Sequence, residues 1–348
     1  MPISVVVGGQ YGSEGKGKVA HHVAREHAAA AVIRVGGPNS GHTSIAAHGE
    51  REVLQQLPVG AFLDGVRCLI GPGSYIEPEI LLAELDRLGL DEGRLCVDYR
   101  AFVITEADRL AEREAGLGER IGSTGSGTGA AAARRIGRAA LESLAYGCDR
   151  LRPFVGDAVA EARTLAAGGG RVVVEGTQGF GLSLLHSPHY PYVTSRDTSA
   201  AAALAEAGLS PLDVDDVTLV LRSFPIRVAG ASGPFDAEEI DWETIAREGG
   251  LTEPPRELTS VTRRLRRVAR FDPGIVRKAI EVNNPSRIVL NHLDHVDARC
   301  ASGRITDRAR DFVERTEAEI GRRIDLLGFG PRPNDLLTLG QDAATPAV

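Results

Sequence analysis

Gly9-Gln10-Tyr11-Gly12-Ser13-Glu14-Gly15-Lys16-Gly17-Lys18 is the stretch on which the fold turns. The apolar run Ile3 to Val7 leads into it, and a helix-like segment from Val19 to Glu26 leads out. Strand, glycine-rich turn and helix, in that order, aim backbone N–H groups and a helix N-terminus at an anion. Lys16 and Lys18 add two positive charges, so Gly12, Gly15, Lys16, Gly17 and Lys18 become candidate nucleotide contacts. Gly12-x4-Gly17-Lys18 nearly satisfies the P-loop pattern, but Val19 stands where that pattern has Ser or Thr. The hydroxyl that would hold Mg2+ is missing, and the metal needs ligands elsewhere. A tight structural turn is the bland alternative; two lysines among four glycines weigh against it.

Outward from this loop, apolar runs recur at Ile3–Val7, Ala31–Val35, Cys68–Ile70, Arg171–Val174, Val217–Leu221 and Ile288–Leu290. Helical patterns lie between several of them, at Glu79–Leu88, Phe154–Ala167, Ile275–Glu281 and Ala309–Ile320. Buried β-branched runs alternating with amphipathic helices predict an α/β fold: a P-loop-like, mainly parallel central sheet flanked by helices. With no repeat, low-complexity tract or clear linker, residues 1–348 read as one domain with elaborated substrate loops. The glycine-rich loops follow strands, where such folds place ligands.

Hydrophobic residues at 43% and charged residues at 25% suit a soluble globular chain with a substantial core. A formal net charge of -7 argues against nucleic-acid polymers as partners, though not against local basic pockets for small phosphates. Cys68, Cys96, Cys148 and Cys300 form no CxxC pair, so neither a zinc site nor a disulfide framework is indicated. A reducing cytoplasm fits. No signal-peptide pattern opens the chain, and no apolar run approaches a membrane span.

A second loop, Gly36-Gly37-Pro38-Asn39-Ser40-Gly41-His42-Thr43, directly follows the strand ending at Val35. It brings an imidazole, an amide and two hydroxyls to the same sheet edge, and His42, flanked by Gly41 and Thr43, is a candidate functional group. His21, His22, His27 and His48 lack that setting and read as helix-surface or loop residues.

Together the two loops resemble those of the adenylosuccinate synthetase family, whose hallmarks are a G-D-E-G-K-G-K loop and a G-H-T loop. That resemblance implies an enzyme joining aspartate to carbon 6 of a purine nucleotide, with a nucleoside triphosphate activating the oxygen there. It continues along nearly the whole chain. Ile121-Gly122-Ser123-Thr124-Gly125-Ser126-Gly127-Thr128-Gly129 is similar to the family's phosphate-binding loop. Arg138 falls where the family sends an arginine into the neighbouring subunit, implying a homodimer. Val174–Gly179 and Tyr190–Ser195 match two further substrate loops, and Phe224-Pro225-Ile226-Arg227-Val228 and the Arg263–Arg267 cluster follow in family order.

The resemblance implies catalytic roles for Ser13, Lys16, His42 and Gln178, and a magnesium site at Ser13 and Gly41. Ser13, Asn39, Ser123, Thr124, Arg138, Gln178, Thr194 and Arg264 would contact the substrate nucleotide. Thr262, Arg264 and Arg267 would hold aspartate, whose two carboxylates suit guanidinium forks. Val261 and Arg263 depart from the family's threonine and glycine. Thr43, Asp294 and Gly330 would serve the phosphoryl donor. Leu290-Asn291-His292-Leu293-Asp294 resembles the family's T-K-L-D base motif, but His292 replaces its lysine, so GTP gives way to ATP or dATP as the expected donor.

Ser13 also stands where the family has an aspartate that takes the proton from purine N1 and helps to hold Mg2+. A serine hydroxyl is a poor base and carries no charge for the metal. Guanine's 2-amino group would crowd an aspartate there, whereas serine leaves room and accepts a hydrogen bond. Such relief is worth roughly 1–3 kcal/mol of discrimination. The combination resembles the phage branch of the family, the 2-aminoadenylosuccinate synthetases, which use dGMP; a host cytoplasm would then be the setting. A water held by Ser13 or a phosphate oxygen would accept the N1 proton. Three readings follow: a dGMP-using ligase, an ordinary IMP- and GTP-using adenylosuccinate synthetase, and a non-catalytic purine-nucleotide-binding regulator. The partners are small molecules: dGMP, L-aspartate and a nucleoside triphosphate.

Overall fold

The computed structural model describes residues 2–45, 51–259 and 264–339. His48, Thr262 and Arg263 lie outside the described residues. Ten strands form the main sheet: β1 Ile3–Gly8, β2 Ala31–Arg34, β3 Arg67–Ile70, β4 Leu95–Asp98, β5 Val155–Gly156, β6 Val172–Glu175, β7 Val214–Arg222, β8 Arg287–Asn291, β9 Leu326–Gly328 and β10 Leu336–Thr338. Their spatial order is β10-β9-β8-β7-β1-β6-β2-β3-β4-β5, and every neighbouring pair is parallel except β9 with β10. The six predicted runs are all strands of this sheet. Strands β4 and β5 at one end of the sheet and β9 and β10 at the other were not among the predicted runs.

Successive side chains of a strand point to opposite faces. Val5, Val7, Ile33, Leu219, Leu221 and Leu290 pack on one side with helices Ala158–Ala167, Ala200–Ala207, Pro273–Asn283 and Asp307–Ile320. Val6, Val32, Val173, Val220 and Val289 pack on the other with α1, Lys16–Glu26, through its Val19 and Val23. Cover on both faces is why the strands read as continuous apolar runs. The predicted helix starts all shift, two of them by more than the rest. α1 begins at Lys16, because Gly15 at φ 91° ends the turn there. The helix expected from Phe154 begins at Ala158, where the Asp157 carboxylate accepts from Ala160 N at 2.8 Å.

The chain builds outward from β1 to β5 and then returns through β6 to fill the gap beside β1 before crossing to β7. Strand order therefore reverses around β1, and a crevice opens at the carboxyl ends of the parallel strands. Loops after β1, β2, β6, β7, β8 and β9 all meet there.

Leu221→Ala, a fully buried change in the central strand β7, is expected to lower unfolding free energy by about 2–5 kcal/mol. A denaturant melt with an unchanged midpoint would contradict this placement of the core.

Candidate active site

Gly15 caps α1 with no side-chain hydrogen bond, and the first turn carries Lys16 and Lys18 but no acid. Cations at a helix N-terminus oppose its dipole, an arrangement that suits an anionic ligand. Glu14 turns inward, its carboxylate accepting from Gln10 N at 3.1 Å, Gly12 N at 2.8 Å and Lys16 Nζ at 2.6 Å. A Cβ on Gly179 would lie 2.5 Å from Gln10 O and 2.6 Å from Gly12 N, so glycine is required where the β6 loop supports this turn. Ser13 follows at φ 56°, its side chain exposed at the crevice edge. Lys18 is buried and donates to Gly330 O at 3.1 Å. Burial pushes its pKa down to about 8, against the pull of Asp294 and Asp335. Val19, at the missing hydroxyl position, is core.

His42, expected in a loop, is the first residue of strand His42–Ile45, which pairs antiparallel with Arg51–Leu54. The strand wedges it against α1: a Cβ on Gly17 would lie 2.8 Å from His42 Cβ and 3.1 Å from Thr43 O. His42 is buried, and its Nδ1 meets the Glu175 carboxylate in a short hydrogen bond. Glu175, the last residue of β6, is in register with Arg34, the last residue of β2, and accepts from Arg34 Nη1 at 3.1 Å and Val59 N at 2.8 Å. Burial alone would raise the Glu175 pKa, but His42, Arg34 and Val59 N outweigh it and bring it down. Burial and then Arg34 push His42 down to about 4 despite Glu175. Glu175 is thus ionised and His42 neutral, with its proton on Nδ1. His42 Nε2 is buried without a partner among the described residues. His21 corrects the sequence reading: it is buried, with Nδ1 2.8 Å from Ser44 Oγ.

Gln178 Oε1, Thr194 Oγ1 and Asp294 Oδ1 are likewise buried without partners among the described residues. Unsatisfied buried polar atoms are rare, and a cluster of them around one crevice points to a ligand that satisfies them. Gln178 stands at φ 63° beside Gly12. Asp294 lies on the short turn Leu293–His295 after β8, next to His292, whose pKa burial drives well below the ordinary value.

Ser123, Thr124 and Arg264 line a second cavity of ≈470 Å³ with Thr259 and Gly230. The expected phosphate loop meets the cavity through those two side chains, not through its helix N-terminus. The Glu112 carboxylate already accepts from Gly127 N at 2.9 Å and Gly129 N at 2.7 Å. Gly37, in the loop that carries Asn39, approaches the same helix: a Cβ there would lie 2.8 Å from Thr128 Oγ1 and 3.4 Å from Asn39 Oδ1. Arg267 is drawn aside: its Nε and Nη2 donate to Glu239 at 2.7 and 2.5 Å, and its Nη1 donates to Gly233 O at 2.8 Å. Holding aspartate would require Arg267 to leave Glu239. Arg138 is exposed at φ 57°, beyond the helix that ends at Ile136, and belongs to neither cluster.

The family model for adenylosuccinate synthetase matches residues 5–146 and 139–301. The chain belongs to the adenylosuccinate synthetase family. It is 36% identical to the adenylosuccinate synthetase of Thermococcus sibiricus, over 98% of this chain and 100% of that one. With the enzyme of Archaeoglobus fulgidus the identity is 34%, over 98% and 99%. Among solved structures, the cyanophage S-2L succinoaminodeoxyadenylate synthetase, bound to dGMP and to dATP as an energy donor, superposes with a TM-score of 0.80. That match has 29% identity and covers 97% of this chain and 95% of that one. A fully ligated adenylosuccinate synthetase from Plasmodium falciparum gives 0.79 at 19% identity over 97% and 100%, which shows the shared fold. As an adenylosuccinate synthetase family member, this chain is a C–N ligase, and its family uses a nucleoside triphosphate and Mg2+.

The crevice fits a nucleoside triphosphate through its uncapped helix start and Lys18. For the metal the protein offers little. Glu14, the carboxylate of the glycine loop, is consumed by that loop, and no group of three or more His, Cys, Asp or Glu is placed to hold a metal among the described residues. Ser13 and Gly41 would offer Mg2+ neutral oxygens at most, and its remaining ligands would have to come from phosphate and water. Sequence reasoning passed over Arg34, Glu175, Arg222 and Asn291 as site residues. Each ends a buried parallel strand, and a polar or charged residue closing an apolar run was the available signal.

The buried histidines give the stability of this chain a pH dependence. Below about 6.5 the unfolded chain binds protons that His21 and His42 refuse in the native state until about 4. Stability should therefore fall as pH drops through that window. His42→Asn should flatten the fall in melting temperature between pH 6.5 and 4, and an unaltered slope would place the proton uptake elsewhere.

Proposed function

We propose that this ligase joins L-aspartate to carbon 6 of dGMP at the expense of ATP or dATP, giving 2-amino-2'-deoxyadenylosuccinate through a 6-phosphoryl intermediate. The observation that carries this reading is the carboxylate-free corner at residue 13. Ser13 is exposed there, and the neighbouring Glu14 is locked inward on Gln10, Gly12 and Lys16. An uncharged, short side chain accommodates guanine's 2-amino group, while an aspartate would crowd it. The likeness to a synthetase bound to dGMP and dATP supports the same choice. The names of the archaeal relatives at 34–36% identity favour the second reading, an ordinary IMP-using adenylosuccinate synthetase.

In the proposed mechanism the γ-phosphoryl group passes to the purine 6-oxygen, forming the O6–P bond and breaking the bond to the β-phosphate. Loop N–H groups and Lys16, released from Glu14, would stabilise the spreading charge. Ser13 and Gly41 would help to hold magnesium, whose role when bound would be to supply positive charge there. His42 would face the 6-oxygen with Nε2, taking up a proton from water as the anionic nucleotide enters, so that Nε2–H donates to that oxygen while Glu175 stabilises the imidazolium. The purine N1 proton would leave to a water held by Ser13 or to a phosphate oxygen. The aspartate nitrogen then attacks carbon 6, the C6–O bond breaks and phosphate leaves, taking the proton that the amine gives up. Thr262 and Arg264 would orient aspartate; Gln178 and Thr194 would satisfy their orphaned oxygens on the nucleotide, with Asn39, Ser123 and Thr124 at its phosphate and sugar. Asp294, Thr43 and Gly330 would receive the donor nucleotide. Ile136, Leu141 and Tyr146, close to Arg138 in sequence, are exposed, and a second copy of the chain would cover them as a homodimer and receive that arginine.

Purified protein with aspartate and Mg2+, ATP, dATP or GTP, and either dGMP or IMP should yield the adduct mass from dGMP. An adduct from IMP alone would reject the dGMP reading; nucleotide binding with no adduct in any mixture would point to a regulator. Ser13→Asp should move the preference toward IMP by roughly ten- to a hundred-fold in relative kcat/KM. Unchanged selectivity would refute the steric argument.

A further inference from the structure

Arg222, the last residue of β7, is the largest side chain with no exposure at all. A charge so placed must be matched by acceptors. Its Nη1 donates to the Ser13 carbonyl at 2.9 Å and to Glu257 Oε2 at 3.2 Å, and its Nη2 donates to Glu257 Oε1 at 2.5 Å. Its own backbone is clasped by Gln10: Arg222 N donates to Gln10 Oε1 at 2.8 Å, and Gln10 Nε2 donates to Arg222 O at 3.2 Å. One residue therefore grips the glycine loop at both ends of the Gln10–Ser13 turn.

Glu257 belongs to one arm of a hairpin. Its carbonyl accepts from Arg266 N at 2.9 Å, Leu258 bridges Leu265, and Thr259 N donates to Arg264 O at 2.9 Å. The chain between these arms carries Thr262, and Arg264 on the returning arm lines the cavity with Ser123 and Thr124. Ser13, at the other side of the guanidinium, holds a left-handed φ of 56°. A non-glycine residue keeps that conformation only where its surroundings fix it.

We infer that Arg222 is a positioning residue that, through its fork onto Glu257, couples the aspartate-side hairpin to the placement of residue 13 against the purine. This rests on the proposed ligase reading. The guanidinium is planar and rigid, so a shift of Glu257 turns it and displaces the Ser13 carbonyl. A lysine would keep the charge but could not hold both carboxylate oxygens and the carbonyl in one plane.

The test is kinetic and structural, on the full-length protein. Glu257→Gln, Arg222→Lys and the double variant are assayed with aspartate and the nucleotide pair that the product assay identifies. Each single variant should lose roughly ten- to a hundred-fold in kcat/KM for aspartate, while the KM for the phosphoryl donor holds. The double variant should be no worse than the weaker single, since both break one linkage. Losses that multiply, or an unaltered aspartate kcat/KM, would overturn the coupling. Amide hydrogen exchange on the ligand-free proteins supplies the independent readout. Exchange across residues 9–15 should quicken in Glu257→Gln by more than in the rest of the sheet, beyond the protein-wide rise that loss of a buried charge partner brings; exchange across 9–15 that rises no more than elsewhere would also overturn it. Quickened exchange in a protein that makes no adduct from any nucleotide pair would support the coupling and defeat only the ligase reading.

Discussion

The buried carboxylate of Glu175 is the constraint on which the site depends. An ionised carboxylate out of water costs several kcal/mol unless donors surround it. Here Arg34, His42 and the Val59 amide all converge on it. Arg34 comes from the adjacent strand in register, His42 from the hairpin after β2, and Val59 from the turn beyond that hairpin. Sheet, hairpin and turn are thus fastened by a single charge. The same charge fixes the imidazole tautomer, which leaves Nε2 as the group available to chemistry.

A second carboxylate does comparable work inside the glycine loop. Glu14 folds back onto Gln10 and Gly12 and neutralises Lys16, so the turn is organised before any ligand arrives. Organising the loop with an internal anion has a chemical consequence. The carboxylate is withdrawn from the crevice, and the outward position is left to residue 13 alone. Identity at residue 13 can then change without dismantling the turn.

Electrostatics in the crevice is sorted by the carboxyl ends of the strands. Arg34, Glu175, Arg222 and Asn291 each close a buried strand and each reach into a loop. Their interiors are aliphatic and specify only the sheet; their last residues specify which loops are tied together. Arg222 ties the glycine loop to the hairpin at 257–266, and Asn291 Nδ2 donates to Glu14 O at 2.8 Å. The glycine loop is therefore held from β7, β8 and the β6 loop at once, well away from its own strand in sequence.

By itself the sequence determined the parallel sheet, the glycine loop with its two lysines, the family, and the oddity of Ser13. These are local facts: apolar runs, glycine spacing and ordered motifs are written contiguously. It did not reveal that His42 begins a strand, that His21 is buried, that Glu112 occupies the helix N-terminus after Gly127, or that Glu239 claims Arg267. Nor did it show Arg222 between Ser13 and Glu257. Those facts depend on which distant charge lies opposite which, and charge pairing has no periodicity along the chain. Only folding brings the partners within hydrogen-bonding distance, so only the tertiary structure could decide them.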